Sequence, residues 1–416
     1  MSHCSKLFSS DMYTRRFVFL VLSIGVGLSA GHVFGQVKEL GDITVQLEVT
    51  VIPVKIIADS VEIRRLAENA FSSHGRFRVV RSVSDAKFVF KFAVGGTNSI
   101  TLSIESGNPA QTLYRDTVRG ASLRNALFRA SDRAVMKTAG TPGYFAGRLT
   151  FISERTGSKE VYVSDLFFGE ALQMTSDRSE SIMPRWSPDG TKIIYTSYFE
   201  TGFPDIFQID TVTQQRKAFV SLKGTNSSAR YSPDGSRVAM ILTGEGNPEV
   251  YVSNAQGRQI RRLTNTNAIE ATPSWSPFGD RLVVTSDLAG KPQLFLLATT
   301  GGSLKRIPTN ISGYCAEPDW NKVNPDLIVF TVASGKQFQI ATYSFSKRKS
   351  VVRTQGSTDG IEPCWTNDGR HLVFTRRSSR GQEVWLLDSE TGKTTRLSPQ
   401  SLGSTSQANF VYQREP

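Results

Sequence analysis

The stretch from Pro184 to Ser197, PRWSPDGTKIIYTS, spells a short strand, a tight turn and a second strand. In such a turn Pro fixes φ, Asp bonds its neighbouring backbone and Gly supplies a positive φ. The hairpin returns as ARYSPDGSRVAM from Ala229 and as PSWSPFGDRLVVTS from Pro273. Aligned on the aromatic before the turn, the copies fall at Trp186, Tyr231, Trp275, Trp320 and Trp365, spaced 45, 44, 45 and 45 residues apart. One further step of 45 lands on Phe410.

Each unit continues with a third strand, such as EVYVSN from Glu249, and a fourth, such as RRLTN from Arg261. Four short strands per 45 residues make one blade of a β-propeller. Ahead of Trp186, RLTFIS, EVYVSD and ALQMTS supply strands two to four of a blade without its first strand. Phe410 supplies that strand, so five whole units and one split unit predict six blades in a closed ring.

The remainder divides into a signal peptide over 1–35, a small α/β domain over 36–138 and the propeller over 139–416. Arg15 and Arg16 precede FVFLVLSIGVGLSAGHVFG, with Val33 and Gly35 suited to the −3 and −1 cleavage positions. The alternative is an uncleaved anchor, but the apolar core from Phe17 to Ala30 has 14 residues, short of the ~20 a span needs. In the small domain, Ile43, Val45, Leu47, Val49 and Val51 alternate as in a half-buried strand. Asp59 and Glu62 resemble a capping box ahead of a helix facing inward through Ile63, Leu66, Ala67, Ala70 and Phe71. A second helix presents Leu123, Leu127, Ala130 and Ala134 and ends at Gly140.

The formal net charge is +12, or +10 once Lys6, Asp11, Arg15 and Arg16 leave with the signal. The basic residues are scattered among acidic ones, so neither a nucleic-acid partner nor membrane insertion is expected. A lone G-x-S-x-G match, Gly27 to Gly31, lies inside the signal peptide and is discarded with it. The mature chain keeps two histidines, His74 and His371, without a His, Cys or carboxylate at ligand spacing. No metal, other cofactor or Ser-His-Asp centre is therefore expected. Asp189, Asp234 and Asp368 recur once per blade in the same turn and read as turn residues.

The segment ahead of each aromatic carries the candidate site. Pro184, Pro273, Pro318 and Pro363 stand two before it, Glu317 and Glu362 three before it, and Glu270 five before it. Inner strands line a propeller channel, so Glu270, Thr272, Glu317 and Glu362 are expected to ring one mouth. The bland alternative, carboxylates capping turns toward water, stays open. Cys315 and Cys364 fall in the same region of adjacent blades, where a disulfide is conceivable.

This combination resembles the TolB family of periplasmic Tol-Pal components. ATPSWSPFGDRLVVTSDLAGKPQLFLL (271–297) is similar to its fourth blade and GYFAGRLTFIS (143–153) to its entry into the first; GRFRVV (75–80) and SDAKFVFKFAVGG (84–96) resemble its small domain. The resemblance implies a non-enzymatic, monomeric scaffold. It would bind a Pal-like lipoprotein at the channel mouth and a TolA-like protein through its mature N-terminus, where Gln36, Val37, Lys38, Glu39 and Leu40 are candidates by position. A secreted propeller hydrolase or lyase, or a sugar- or peptide-binding propeller, is the alternative.

Overall fold

The computed structural model describes residues 51–413. The signal peptide, the Gln36–Leu40 segment and all but the last residue of the alternating run ending at Val51 lie outside them. The first strand described, β1, is Ile52–Ala58.

The small domain continues with α1 (Val61–Ser73), β2 (Phe77–Val79), β3 (Phe88–Gly96), β4 (Ser99–Ser106), β5 (Gln111–Arg119) and α2 (Leu123–Ala139). Its sheet has the order β2-β1-β3-β4-β5, with β1 parallel to both neighbours and the other pairs antiparallel. Ile63, Ala67, Ala70 and Phe71 of α1 and Leu127, Ala130 and Ala134 of α2 are buried, as their helical spacing predicts. The cap of α1 differs from expectation by one residue. Ser60, not Asp59, accepts from the Ile63 N–H, at 3.1 Å. Asp59 is taken by the Val94 N–H at 2.9 Å, which ties the helix start to β3. Gly140 ends α2 in the left-handed region at φ 68°, a conformation glycine adopts without strain.

Six four-stranded antiparallel sheets follow, and they form the propeller. Blade 1 pairs the C-terminal strand Thr405–Val411 with Arg148–Ser153, so the ring closes on itself as the repeat count predicts. The inner strands of blades 2 to 6 are Ser181–Trp186, Asn226–Tyr231, Glu270–Trp275, Cys315–Trp320 and Asp359–Trp365. Trp186, Trp275, Trp320 and Trp365 are 3–6% exposed and pack at the blade seams. The turn aspartates behave as turn residues: Asp189 accepts from Ser187 Oγ at 2.5 Å and Thr191 N at 3.1 Å, and Asp234 repeats the pattern. The small domain and blades 1 and 6 share one core, with Phe71, Phe90, Phe145, Leu149, Val373 and Phe410 in a single cluster.

Candidate functional site

Every inner strand carries the same bulge. Its pairing to the second strand shifts register just before the aromatic in all six blades. The first bulged residue is left-handed each time. Met183, Ser228, Thr272, Glu317, Glu362 and Gln407 have φ of 55°, 56°, 45°, 55°, 55° and 56°. The second bulged residue is proline in four blades, because an unpaired position needs no N–H. Left-handed backbone in non-glycine residues costs of order 1–3 kcal/mol, and the surrounding structure must hold it in place.

A chain of hydrogen bonds around the channel does so. Glu317 Oε2 accepts from Thr331 Oγ1 at 2.7 Å and from Glu362 N at 2.9 Å. Glu362 Oε2 accepts from Thr375 Oγ1 at 2.7 Å and from Gln407 N at 3.0 Å. Gln407 Oε1 accepts from Met183 N at 2.6 Å. Thr285 Oγ1, 2.9 Å from Thr272 Oγ1, accepts from Glu317 N at 3.2 Å. These bonds tie blade 4 to 5, 5 to 6, 6 to 1 and 1 to 2.

A second belt lies one residue before the aromatics. Ser274 Oγ accepts from Trp320 N at 3.0 Å, Asp319 Oδ2 from Trp365 N at 2.9 Å, Cys364 Sγ from Phe410 N at 3.5 Å, and Asn409 Oδ1 from Trp186 N at 2.9 Å. Arg185 and Arg230 hold the equivalent positions in blades 2 and 3. Arg230 reaches Asp319 at 2.8 Å, linking blade 3 to blade 5. Burial, and then the neighbouring Arg230, push the Arg185 guanidinium down to about 10. Burial and the nearby Glu362 push the Glu317 carboxyl up.

The structure therefore groups Thr272, Glu317 and Glu362 on the channel wall and separates Glu270 from them. Glu270 is 0% exposed and points into the seam between blades 3 and 4, accepting from Ser286 Oγ at 2.9 Å and Thr266 Oγ1 at 3.0 Å. Burial and a hydrogen bond with Glu249 raise its carboxyl to about 7. At the preceding seam the same place is filled by Asn226, whose amide donates to Asp205 at 3.0 Å.

The conceivable disulfide is absent: Cys315 and Cys364 are both free and buried. Cys315 stands five residues before its aromatic and Cys364 one, on opposite sides of the bulge in adjacent blades. Cys315 lies 3.5 Å from Thr309 Oγ1, while Cys364 serves in the second belt.

The histidines, expected to be isolated, meet. His74, His371 and Asp388 bring one ligand atom each within 4.8 Å of one another. They stand in different domains, so spacing along the chain conceals the contact. Arg370 Nη2 binds Asp388 Oδ2 at 2.6 Å and Arg76 N donates to His74 Nδ1 at 3.2 Å, while Nε2 of each histidine has no hydrogen-bond partner.

The channel has two chambers that meet at Arg185 and Arg230. The larger, about 1680 Å³, opens among the turns on the side of the small domain and is lined by Trp186, Trp275, Trp320 and Trp365. The smaller, about 460 Å³, is walled by the left-handed ring. Thr272 and Glu317 also line a side pocket of about 680 Å³ with Ile269, Asp287 and Tyr314, at the end where the inner strands begin.

A family model described as "TolB beta propeller domain" matches residues 135–410. The chain belongs to the TolB β-propeller family. Among curated relatives, the Tol-Pal system protein TolB of Desulfosudis oleivorans is 34% identical over 143 residues, covering 34% of this chain and 32% of that one. The TolB homolog of Chlorobaculum tepidum is 34% identical over 125 residues, covering 30% and 28%. The chain thus aligns with about a third of the length of these relatives. TolB from Acinetobacter baumannii shares the fold, with a TM-score of 0.78 at 22% identity over 87% of this chain and 96% of that one. Met183, Ser228 and Gln407 of the ring, and Arg185, Arg230 and Asp319 behind it, were not among the expected site residues of this TolB-family chain. The signal was present: each stands three or one before its aromatic, in register with Glu317 or Cys364.

Proposed function

We propose that this chain is a non-enzymatic scaffold of a Tol-Pal-type envelope system, exported to the periplasm. Its channel mouth holds a Pal-like lipoprotein, and Gln36–Leu40 engage a TolA-like protein. Membership of the TolB family supports the setting. The observation that carries the docking reading is the mouth away from the small domain. There, loops of blades 2 to 4 leave Phe203 68%, Ile269 54%, Leu222 52% and Leu288 49% exposed. Apolar side chains left in water around a channel mouth suit a protein partner.

Glu317 and Glu362 each accept two hydrogen bonds on one oxygen within the wall. That supports a rigid, preformed surface in which Thr272, Glu317 and Glu362 form the floor and the apolar loops make the contact. Among the described residues no helix is long and apolar enough to cross a membrane.

The test is co-purification of the cognate Pal-like lipoprotein and TolA-like protein on the immobilised mature chain. Both are retained if the reading holds, and deletion of residues 36–40 removes the TolA-like protein alone. Failure to retain the lipoprotein overturns the scaffold role. Retention of the TolA-like protein by the deletion variant overturns the N-terminal assignment.

A further inference from the structure

The small domain docks on blade 6 through a buried polar cluster that the channel reading leaves unexplained. His74 follows α1 at its C-terminus, and His371 opens the second strand of blade 6. Their rings meet edge to face with centroids 4.6 Å apart, and Tyr144 of the connecting segment stacks on His371 at 4.3 Å. The two histidines are 1% and 0% exposed. The backbones are closely apposed: a Cβ on Gly75 would stand 2.0 Å from Asp388 Oδ2.

Blade 6 surrounds His371 with charge. Nδ1 lies 2.6 Å from Asp368 Oδ2, and Nε2 lies 3.6 Å from Asp388 Oδ2. Arg370 binds Asp388 through Nε at 2.9 Å and Nη2 at 2.6 Å. At the rim Glu390 takes Arg370 at 2.5 Å and Arg76 of the small domain at 3.3 Å. Glu390 and Arg76 cancel. Asp368 and Asp388 against the single guanidinium leave one negative charge in a dry site, where an unpaired charge is costly. An imidazolium at His371 neutralises it. His74 contributes no charge, because its Nδ1 accepts the Arg76 N–H and no acceptor stands at Nε2.

We propose that the junction between small domain and propeller is a proton-held clasp: His371 stays protonated between Asp368 and Asp388 while the neutral His74 ring covers it. Raising the pH removes that proton and loosens the docking.

The titration directions agree. Burial alone would depress His371, but Asp368 and Asp388 outweigh it and raise the group above its ordinary 6.5. A raised group contributes fully below the unfolded value and loses its contribution as pH climbs through the folded one. Burial, then His371, lowers His74 to about 2, so its contribution is present above 6.5 and lost as pH falls toward about 2. Asp132 also titrates in this junction. It accepts from Phe145 N, Ala146 N and Tyr412 Oη, and burial raises it to about 7. Its stabilisation is lost as pH rises from about 3.8 to about 7. The burial of Tyr144 puts its own titration well above 10.

Tyr144 and Phe145 are 0% exposed when docked, which makes them a chymotrypsin reporter. The full chain is digested from about pH 7 to about pH 9.5, with rates divided by those of a Tyr-Phe peptide. Wild-type cleavage there should rise roughly tenfold with pH, while His371→Gln is cleaved readily and at a flat rate. Asp132→Asn should keep the wild-type slope above about pH 7.5, and EDTA should change nothing. A flat wild type, a sloping His371→Gln, a flat Asp132→Asn or a slope abolished by EDTA each overturns the clasp. Should His371→Gln fail to fold, the NMR titration of the wild-type His371 ring decides: a midpoint at or below 6.5 is fatal to the proposal.

Discussion

The channel wall and the domain junction hold the molecule together by opposite means. In the wall one kind of contact recurs from blade to blade. A side-chain acceptor meets a backbone N–H of the next blade, offered from the left-handed bulge by Glu317, Glu362 and Gln407 and from one residue before the aromatic by Ser274, Asp319, Cys364 and Asn409. In the junction nothing repeats. His74, Gly75, Tyr144, Asp368, Arg370 and Asp388 come from four separate stretches of chain, and the contact works only because their charges balance. A repeated contact spreads its load over siblings, whereas a unique ionic contact fails as a unit.

Breaking the junction should therefore cost more than breaking one tie in the wall. Arg370→Ala leaves Asp388 buried with its bidentate partner gone, and denaturant unfolding should show a loss of about 3–5 kcal/mol. Glu362→Ala strands the Thr375 hydroxyl and leaves the Gln407 N–H only Thr375 Oγ1, for about 2–4 kcal/mol, while Glu362→Gln, which keeps an acceptor oxygen, should cost less than half as much. An equal loss in both Glu362 variants would mean that charge, not acceptance, matters in the wall. The smallest effect belongs to the belt sulfur. Cys364→Ser should cost under ~1 kcal/mol because the hydroxyl still accepts from Phe410 N. Unreduced, denatured mature protein should take alkylating label on both Cys315 and Cys364, and a mass without label would restore the bridge.

What the sequence showed follows the same division. The blade count, the closing strand at Phe410 and the turn role of Asp189 and Asp234 were legible because periodicity multiplies weak local signals. The wall was half legible. Glu317 and Glu362 stand out by charge, but their neighbours in the ring are Met183, Ser228 and Gln407, which share only a register and a left-handed φ. Glu270 and Cys315 misled because carboxylate and thiol suggest chemistry. Five residues before the aromatic, beyond the bulge, both instead face the blade seam. The junction was not legible at all: His74 and His371 carry no mutual spacing, and only the docked fold brings them together.

The central claim is that the mouth opposite the small domain, floored by the ring and rimmed with apolar loops, is the docking surface. Calorimetric titration of the cognate Pal-like lipoprotein into the wild type and into Ile269→Asp/Leu288→Asp tests it most directly. The account predicts that the wild type binds and that the double variant, with an unchanged melting temperature, binds at least roughly tenfold more weakly. Equal affinity for the two proteins, or no binding by the wild type, would contradict it.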